Sequence, residues 1–389
     1  MAKAILARGK EKRVDYGHPW IFRSDIEETR GAFEPGDVVD VCSIKGKFLG
    51  RGYINPRSQI AIRMLTREQE EINAGFLYGR IFSAWEYRKR IADTKSCRVV
   101  FAESDFLPAL IVDKFSDVLV LQTLALGIDR FKREIVEILD DIIKPEGIYE
   151  RNDVPVRELE GLDQRKGFLS GSFDTSVLME ENGVKFIVDV ENGQKTGYFL
   201  DQKENRASIG PLVKHGRILD CFCHTGSFSL HAGHYGAIDV LGLDISDHAV
   251  ECARRNARLN SLEGICRFEA ANVFDRLREL ADSGEDFDTV ILDPPAFAKS
   301  RNALAGAARG YKEINLRAMK IIKSGGFLVT CSCSHHVSPG MFMDIIYDAS
   351  LDAKRKIRLL EFRTQAKDHP ILLASEETQY LKCALLQVI

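Results

Sequence analysis

From about residue 176 onward, apolar runs of strand length alternate with amphipathic helical stretches such as Ala249–Leu259. No other feature of the sequence restricts the fold as tightly. Parallel strands need crossovers long enough to hold a helix, so this alternation builds a parallel sheet covered by helices on both faces. The strand candidates are Arg217–Phe222, Asp239–Asp244, Cys266–Ala270, Thr289–Asp293 and Gly326–Cys331. Ile357–Phe362 and Tyr380–Val388 follow with a shorter connection and suit an antiparallel edge. Ahead of them, Val177–Met179 and Lys185–Val190 flank Glu181-Asn182-Gly183, the signal of a hairpin with an Asn-Gly turn.

Ligands of open α/β sheets bind at the carboxyl ends of the strands, around the switch in strand order. The first strand runs into Asp220-Cys221-Phe222-Cys223-His224-Thr225-Gly226, a glycine-containing turn into a helix, so Asp220, Cys221, Thr225 and Gly226 are candidate cofactor contacts. The second ends in Asp244, where a carboxylate accepts hydrogen bonds from both hydroxyls of a ribose. The third ends at Asn272, whose amide suits an adenine edge, and the fourth at Asp293-Pro294-Pro295. A dinucleotide fingerprint places three glycines in the first turn, and this turn has one. A nucleoside without a diphosphate fits better, and S-adenosylmethionine is the natural candidate.

The first 70 residues have a different texture. Short alternating runs around Val38–Val41, Phe48–Ile54 and Ile60–Leu65 are punctuated by glycine, as in a small β-barrel. Residues 1–67 carry 13 basic and 8 acidic side chains, a net of +5 in a chain whose total is −3. A basic module on an acidic body is a weak nucleic-acid signal that a solvated surface explains equally well. Between the two regions, a helix over residues 72–92, strands near 98–102, 109–113 and 118–122 and a helix over 128–143 predict an α+β module. No run of apolar residues is long enough to span a membrane, and the basic start lacks the apolar core of a secretory signal. With nine cysteines and no dense spacing pattern, the expectation is a reduced, cytoplasmic protein.

Several runs carry a family resemblance: His18-Pro19-Trp20-Ile21-Phe22, Gly50-Arg51-Gly52-Tyr53-Ile54-Asn55-Pro56, Glu103-Ser104-Asp105-Phe106-Leu107-Pro108, Lys195-Thr196-Gly197-Tyr198-Phe199-Leu200-Asp201-Gln202, Asp293-Pro294-Pro295 and Ser332-Cys333-Ser334. On these the chain resembles, over nearly its whole length, the RlmI-like class I methyltransferases. The resemblance implies a PUA-like RNA-binding barrel (1–70), an α+β middle domain (71–175) and a Rossmann-like class I methyltransferase domain (176–389). It further implies S-adenosylmethionine as cofactor, large-subunit (23S) ribosomal RNA as partner, no membrane association, and methylation of carbon 5 of a cytosine; homodimer formation stays open. In that family the segment from Lys195 closes over the cofactor, making Gln202 and Arg206 candidate contacts to it or to RNA phosphate. Two departures stand out. The family commonly shows Asp where this chain has Asn272, and some members lack the residues corresponding to Cys331, His335 and His336 around Cys333.

Carbon 5 of cytosine is a poor nucleophile until a thiolate adds to carbon 6, which makes Cys333 the candidate nucleophile and Asp293 the candidate to hold or protonate the pyrimidine edge. Cys331 competes for the role, and either His335 or His336 is placed to activate a thiol. Zinc is disfavoured because Cys221, Cys223, Cys331 and Cys333 stand in pairs with one intervening residue, where zinc pairs use two to four; no metal is expected. Two other functions stay open: a guanine methyltransferase of RNA without a thiol nucleophile, and a non-catalytic RNA-binding or ribosome assembly factor.

Overall fold

The alternating half of the chain forms one seven-stranded sheet, whose strands we number β1 (Arg217–Cys221), β2 (Asp239–Asp244), β3 (Cys266–Ala270), β4 (Phe287–Leu292), β5 (Ile322–Ser332), β6 (Ile357–Arg363) and β7 (Lys382–Val388). The computed structural model describes residues 1–298 and 300–389, the side chain of Arg301 excepted. Strand order is β3-β2-β1-β4-β5-β7-β6. The first five strands run parallel, and β7 is antiparallel to both β5 and β6. The order reverses between β1 and β4, so the crevice for a ligand opens above those two strands. β1 stops one residue earlier than the sequence suggests because Phe222 takes a left-handed conformation (φ 65°) that ends the ladder.

Alternation along β1 decides which side chains can reach that crevice. Leu219 and Cys221 enter an apolar core with Leu243, Leu277, Leu292, Tyr311, Ile314 and Phe342. Asp220 points to the opposite face, against the helix Ser227–His234, where it bonds Ser229.

The chain divides into two compact units: Met1–Met179 with Val188–Leu200 and Lys367–Thr378, and Glu180–Ile187 with Asp201–Ala366 and Gln379–Ile389. The hairpin strands Ser176–Glu181 and Val184–Asp189 meet at Asn182 and Gly183, both with positive φ (51° and 84°), the geometry of a type I′ turn.

The first unit holds two sheets. Six strands between Lys3 and Thr66 surround a core of Ala4, Leu6, Val14, Ile21, Val41, Leu49, Ile54 and Ile62. The glycines of Gly50-Arg51-Gly52 allow close strand approach there; a Cβ on Gly52 would lie 2.3 Å from the Arg63 carbonyl oxygen. The second sheet has five strands, Ser96–Phe101, Leu110–Phe115, Val118–Thr123, Gly147–Asn152 and Arg165–Gly171. The sequence does not predict the last two. Gly147–Asn152 contains Glu150, Arg151 and Asn152, a polar run that reads as loop, yet every residue of it is buried. Each charge there is paired: Lys132 with Glu150 at 2.7 Å, and Arg151 with Asp153 and the carbonyl oxygens of Val190 and Gly193. The expected helix over 128–143 is two, Leu126–Arg130 and Lys132–Ile143, separated at Phe131.

The motif residues of this unit bond one another. The Trp20 indole donates to Glu103 at 2.8 Å, and His18 Nδ1 accepts from the Trp20 amide at 3.0 Å. Glu160 accepts from Asn55 (2.9 Å), Ser58 (2.6 Å) and Arg63 (3.2 Å). Asp105 caps the Phe101 amide and pairs with the buried Arg88, both at 2.5 Å.

Candidate active site

At the top of β1 the chain turns through three residues in left-handed conformations, Phe222, His224 and Gly226 (φ 65°, 50° and 83°). Non-glycine residues rarely adopt such angles, and their clustering marks a turn held in shape by its surroundings. Asp244 at the end of β2 does the holding. One of its carboxylate oxygens accepts from the His224 amide and the other from the Ser246 amide, both at 2.9 Å. Gly226 then starts the helix Ser227–His234, and a Cβ there would press on Ala253 and the Phe268 ring at 3.1 Å. Thr225 is half-buried on the same turn, its carbonyl oxygen bonded by Asn256 at 3.2 Å.

Asp220 lies fully buried beneath this turn. One oxygen accepts from the Ser229 amide (2.8 Å) and hydroxyl (2.6 Å), and the other has no hydrogen-bond partner among the described residues. Burial raises its carboxyl to about 7 against the lowering effect of the Ser229 bonds, and the neighbouring charges of Asp293 and Asp244 push the same way as burial. Cys221 calls for a correction. Its side chain is in the apolar core, and burial drives its thiol well above the ordinary range, so any cofactor contact from it is limited to its main chain. Period-two alternation along β1 is the reason.

Asn272 is the N-cap of the helix Val273–Asp282. Its carbonyl oxygen accepts from the Phe274 amide at 2.9 Å, and its exposed amide nitrogen bonds nothing among the described residues. Two further features of this rim were not read from the sequence. Ile245, directly after Asp244, is apolar and 75% exposed. Half-buried rings from three loops, Phe222, Phe274 and Phe297, stand with centroids 6.0–6.4 Å apart. An apolar side chain directly after an acidic strand end was the available signal.

These residues fit S-adenosylmethionine. The Asp244 carboxylate suits a ribose diol, and the Asn272 amide suits a purine edge. The unpartnered oxygen of Asp220 is a buried polar atom at the head of the turn, suited to a polar or cationic group.

The other half of the rim lies between β4 and β5. The Asp293 amide bonds the Cys221 carbonyl oxygen at 3.3 Å, which ties the Asp-Pro-Pro loop to β1. Gln202 donates to Asp293 at 2.9 Å and accepts from Asn205 at 2.6 Å. Gln202 is thus brought to the site residue Asp293. Arg206 lies near enough to the turn for its charge to act on His224. It is buried in a pair with Glu181 at 2.6 and 3.0 Å, beside His231.

Cys333 lies one residue beyond β5, half-buried, with its sulfur 3.8 Å from the Pro294 carbonyl oxygen. The serines on either side are anchored: Ser332 and Ser334 each bond the Tyr311 hydroxyl at 3.0 Å, and Ser334 also accepts from the Ala298 amide. Cys331 is fully buried opposite Cys383 in the β5–β7 ladder, and its thiol is held well above the ordinary range by bonding to Cys383 and by burial. Lys382 faces Ser332 across the same ladder, and its ammonium donates to the Ser334 carbonyl oxygen at 2.7 Å. His335 and His336 are exposed, with the His335 ring 5.5 Å from that of Tyr380.

Comparison with known proteins agrees on the cofactor. Residues 160–370 match the S-adenosylmethionine-dependent methyltransferase family, and residues 4–67 match the PUA-like domain family. A protein of Tolumonas auensis named ribosomal RNA large subunit methyltransferase I is 41% identical over 99% of this chain and 98% of its own length. An Aliivibrio fischeri protein of the same name is 42% identical, again over 99% and 98%. A solved methyltransferase complexed with SAH has the same fold at a TM-score of 0.86, with 20% identity and both chains wholly covered.

Proposed function

Because this chain belongs to the ribosomal RNA large subunit methyltransferase I family, and so is an S-adenosylmethionine-dependent methyltransferase of ribosomal RNA, we propose that its product is 5-methylcytosine and that Cys333 is the nucleophile. One observation carries the proposal. Of the four thiols at the ends of β1 and β5, Cys221, Cys223 and Cys331 are buried, and Cys333 alone is partly open, beside the Asp-Pro-Pro loop.

Bound S-adenosylmethionine supplies an electrophilic methyl group on a sulfonium. The residues of the chain prepare the base to receive it. The Cys333 thiolate adds to carbon 6 of the cytosine, which gives carbon 5 enamine character so that it takes up the methyl group. Loss of the carbon 5 proton to solvent then expels the thiolate and restores the aromatic ring, leaving one methyl in place of one proton. Asp293 holds the pyrimidine edge, its carboxylate positioned by Gln202. Tyr311 fixes the two serines, so the thiol between them has little freedom to leave the rim. Asp244, Asn272 and the turn Phe222–Gly226 hold the cofactor, with Asp220 beneath. The six-stranded N-terminal module, with Lys3, Arg8, Lys12, Lys45 and Lys47 exposed, holds RNA through its phosphates. No helix among the described residues is long and apolar enough to cross a membrane, and all nine cysteines are free thiols, in keeping with a cytoplasmic site of action.

The experiment is methyl transfer from labelled S-adenosylmethionine to large-subunit ribosomal RNA lacking the modification, followed by digestion to nucleosides. The expected product is 5-methylcytidine from the wild type and none from Cys333→Ala. A methylated guanosine, made equally by both proteins, contradicts the proposal.

A further inference from the structure

Lys382 is the first residue of a strand that is otherwise nearly all apolar, Lys382–Val388, and it is 1% exposed. A buried ammonium ordinarily sits against a carboxylate, because taking an isolated charge out of water is expensive. Among the described residues no carboxylate lies within ion-pair distance of it. Its nitrogen donates instead to two carbonyl oxygens, Ser334 at 2.7 Å and Tyr380 at 2.8 Å. Those bonds leave a third N–H and the full positive charge, and Ser334 is the residue directly after Cys333. The ladder places Lys382 opposite Ser332, so the side chain runs alongside the Ser332-Cys333-Ser334 segment to reach its far carbonyl.

We propose that Lys382 is a positioning residue whose ammonium sets the charge state of Cys333, holding it as the thiolate that the reaction needs. The inference rests on the reading of Cys333 as nucleophile given above. It replaces the expectation that His335 or His336 activates the thiol, since both histidines are exposed. Burial draws Lys382 down to about 8, and the negative charge of Cys333 acts in the opposite direction, so the ammonium persists at pH 7. Three neighbouring groups among the described residues carry no positive charge. Asp293, from the loop after β4, is acidic and raises the neighbouring thiol of Cys331. Tyr311, from the helix Leu304–Ile321, is pushed upward by burial and stays neutral, bonded to both serines. Cys331 and Cys383 face each other across β5 and β7, and Tyr380 donates to Asp201 at 2.5 Å.

The test reads the thiol itself. Native protein is treated with iodoacetamide in short pulses from pH 5.5 to 10, and alkylation of the Cys333 peptide is quantified by mass spectrometry. The expected midpoint lies at least about one pH unit below that of the same cysteine in urea-unfolded protein. Lys382→Met, which keeps length without charge, is expected to raise the midpoint by about one unit or more, and Lys382→Arg to restore most of the shift. A wild-type midpoint equal to the unfolded one overturns the inference even if neither variant folds. Equal midpoints in folded wild type and folded Lys382→Met also overturn it. Failure of the nucleophile reading looks different: Cys333→Ala retains methyl transfer while the midpoint still responds to Lys382.

Discussion

In the first unit the motif residues Trp20, Asn55 and Glu103 bond, together with Arg63 and Glu160, into a group that is nearly all buried, whereas in the second Asp244, Asn272, Asp293 and Cys333 bond the chain yet keep an atom at the rim. Residue type alone does not separate the two sets, since both are made of side chains with polar groups. On the proposed function, the difference teaches that such a polar group serves the cofactor or the base where part of it stays at the rim. Where it is fully used, the motif marks a joint. In the first unit the joint ties the six-stranded sheet to the segments that carry Glu103 and Glu160, so deleting residues 1–70 would bare two buried carboxylates. Charge reversal of the exposed lysines is a cleaner way to probe RNA binding.

Asp220 puts the comparison under the most strain, because it belongs to the rim in sequence but is fully buried. Its carboxyl is raised to about 7, so the native state keeps a proton that the unfolded chain releases near pH 4. The native state therefore binds the extra proton across that window. The stability linked to this group is fully present below about pH 4 and is lost as pH rises through 7. Asp220→Asn, which does not titrate, should remove this slope. Urea unfolding at pH 4.5 and 7.5 is expected to show the wild type losing about 3 kcal/mol more than the variant. Parallel pH dependences in the two proteins would move Asp220 out of the buried class.

Glu160 tests the other side. Glu160→Ala leaves Arg63 buried with only the more distant Glu103, at 3.6 Å, and should destabilise the protein by about 3 kcal/mol. Because none of the proposed cofactor contacts belongs to this joint, affinity for S-adenosylmethionine per folded molecule should not change. Denaturation and calorimetry on one preparation measure both. Lost affinity with unchanged stability would reverse the assignment of this motif.

Asp244→Ala has the smallest expected effect and the opposite signature. Removing the carboxylate should weaken S-adenosylmethionine binding by about 2 kcal/mol, through the ribose hydroxyls and through release of the His224 turn. Titration calorimetry on the folded variant checks it, and unchanged affinity would remove Asp244 from the site.

Much of the second unit could be read from the sequence because its strands are continuous apolar runs and each ends in a residue of distinct chemistry. The strand bounds found by the pattern are within a few residues of β1 to β7, and the Asn182-Gly183 turn follows from its two residues alone. What escaped had a physical cause in each case. Gly147–Asn152 hides its burial behind Glu150, Arg151 and Asn152, whose partners Lys132, Val190 and Thr123 are distant in sequence. Cys221 looked like a rim residue because composition does not reveal which face of a strand a side chain takes. Arg206 looked available because its partner Glu181 lies beyond the reach of helical spacing. The bond from Gln202 to Asp293 and the approach of Lys382 to Ser334 join residues 91 and 48 positions apart, which no local pattern encodes.

The central claim is that Cys333 forms a covalent bond to the target base. Ribosomal RNA bearing 5-fluorocytosine at the target should trap the wild-type enzyme in the presence of S-adenosylmethionine, because fluorine blocks loss of the carbon 5 substituent. The account predicts a stable protein–RNA adduct whose cross-linked peptide contains Cys333, and no adduct with Cys333→Ala. A cross-link through Cys331, or full methyl transfer to unmodified RNA by Cys333→Ala with no adduct from either protein, would contradict it.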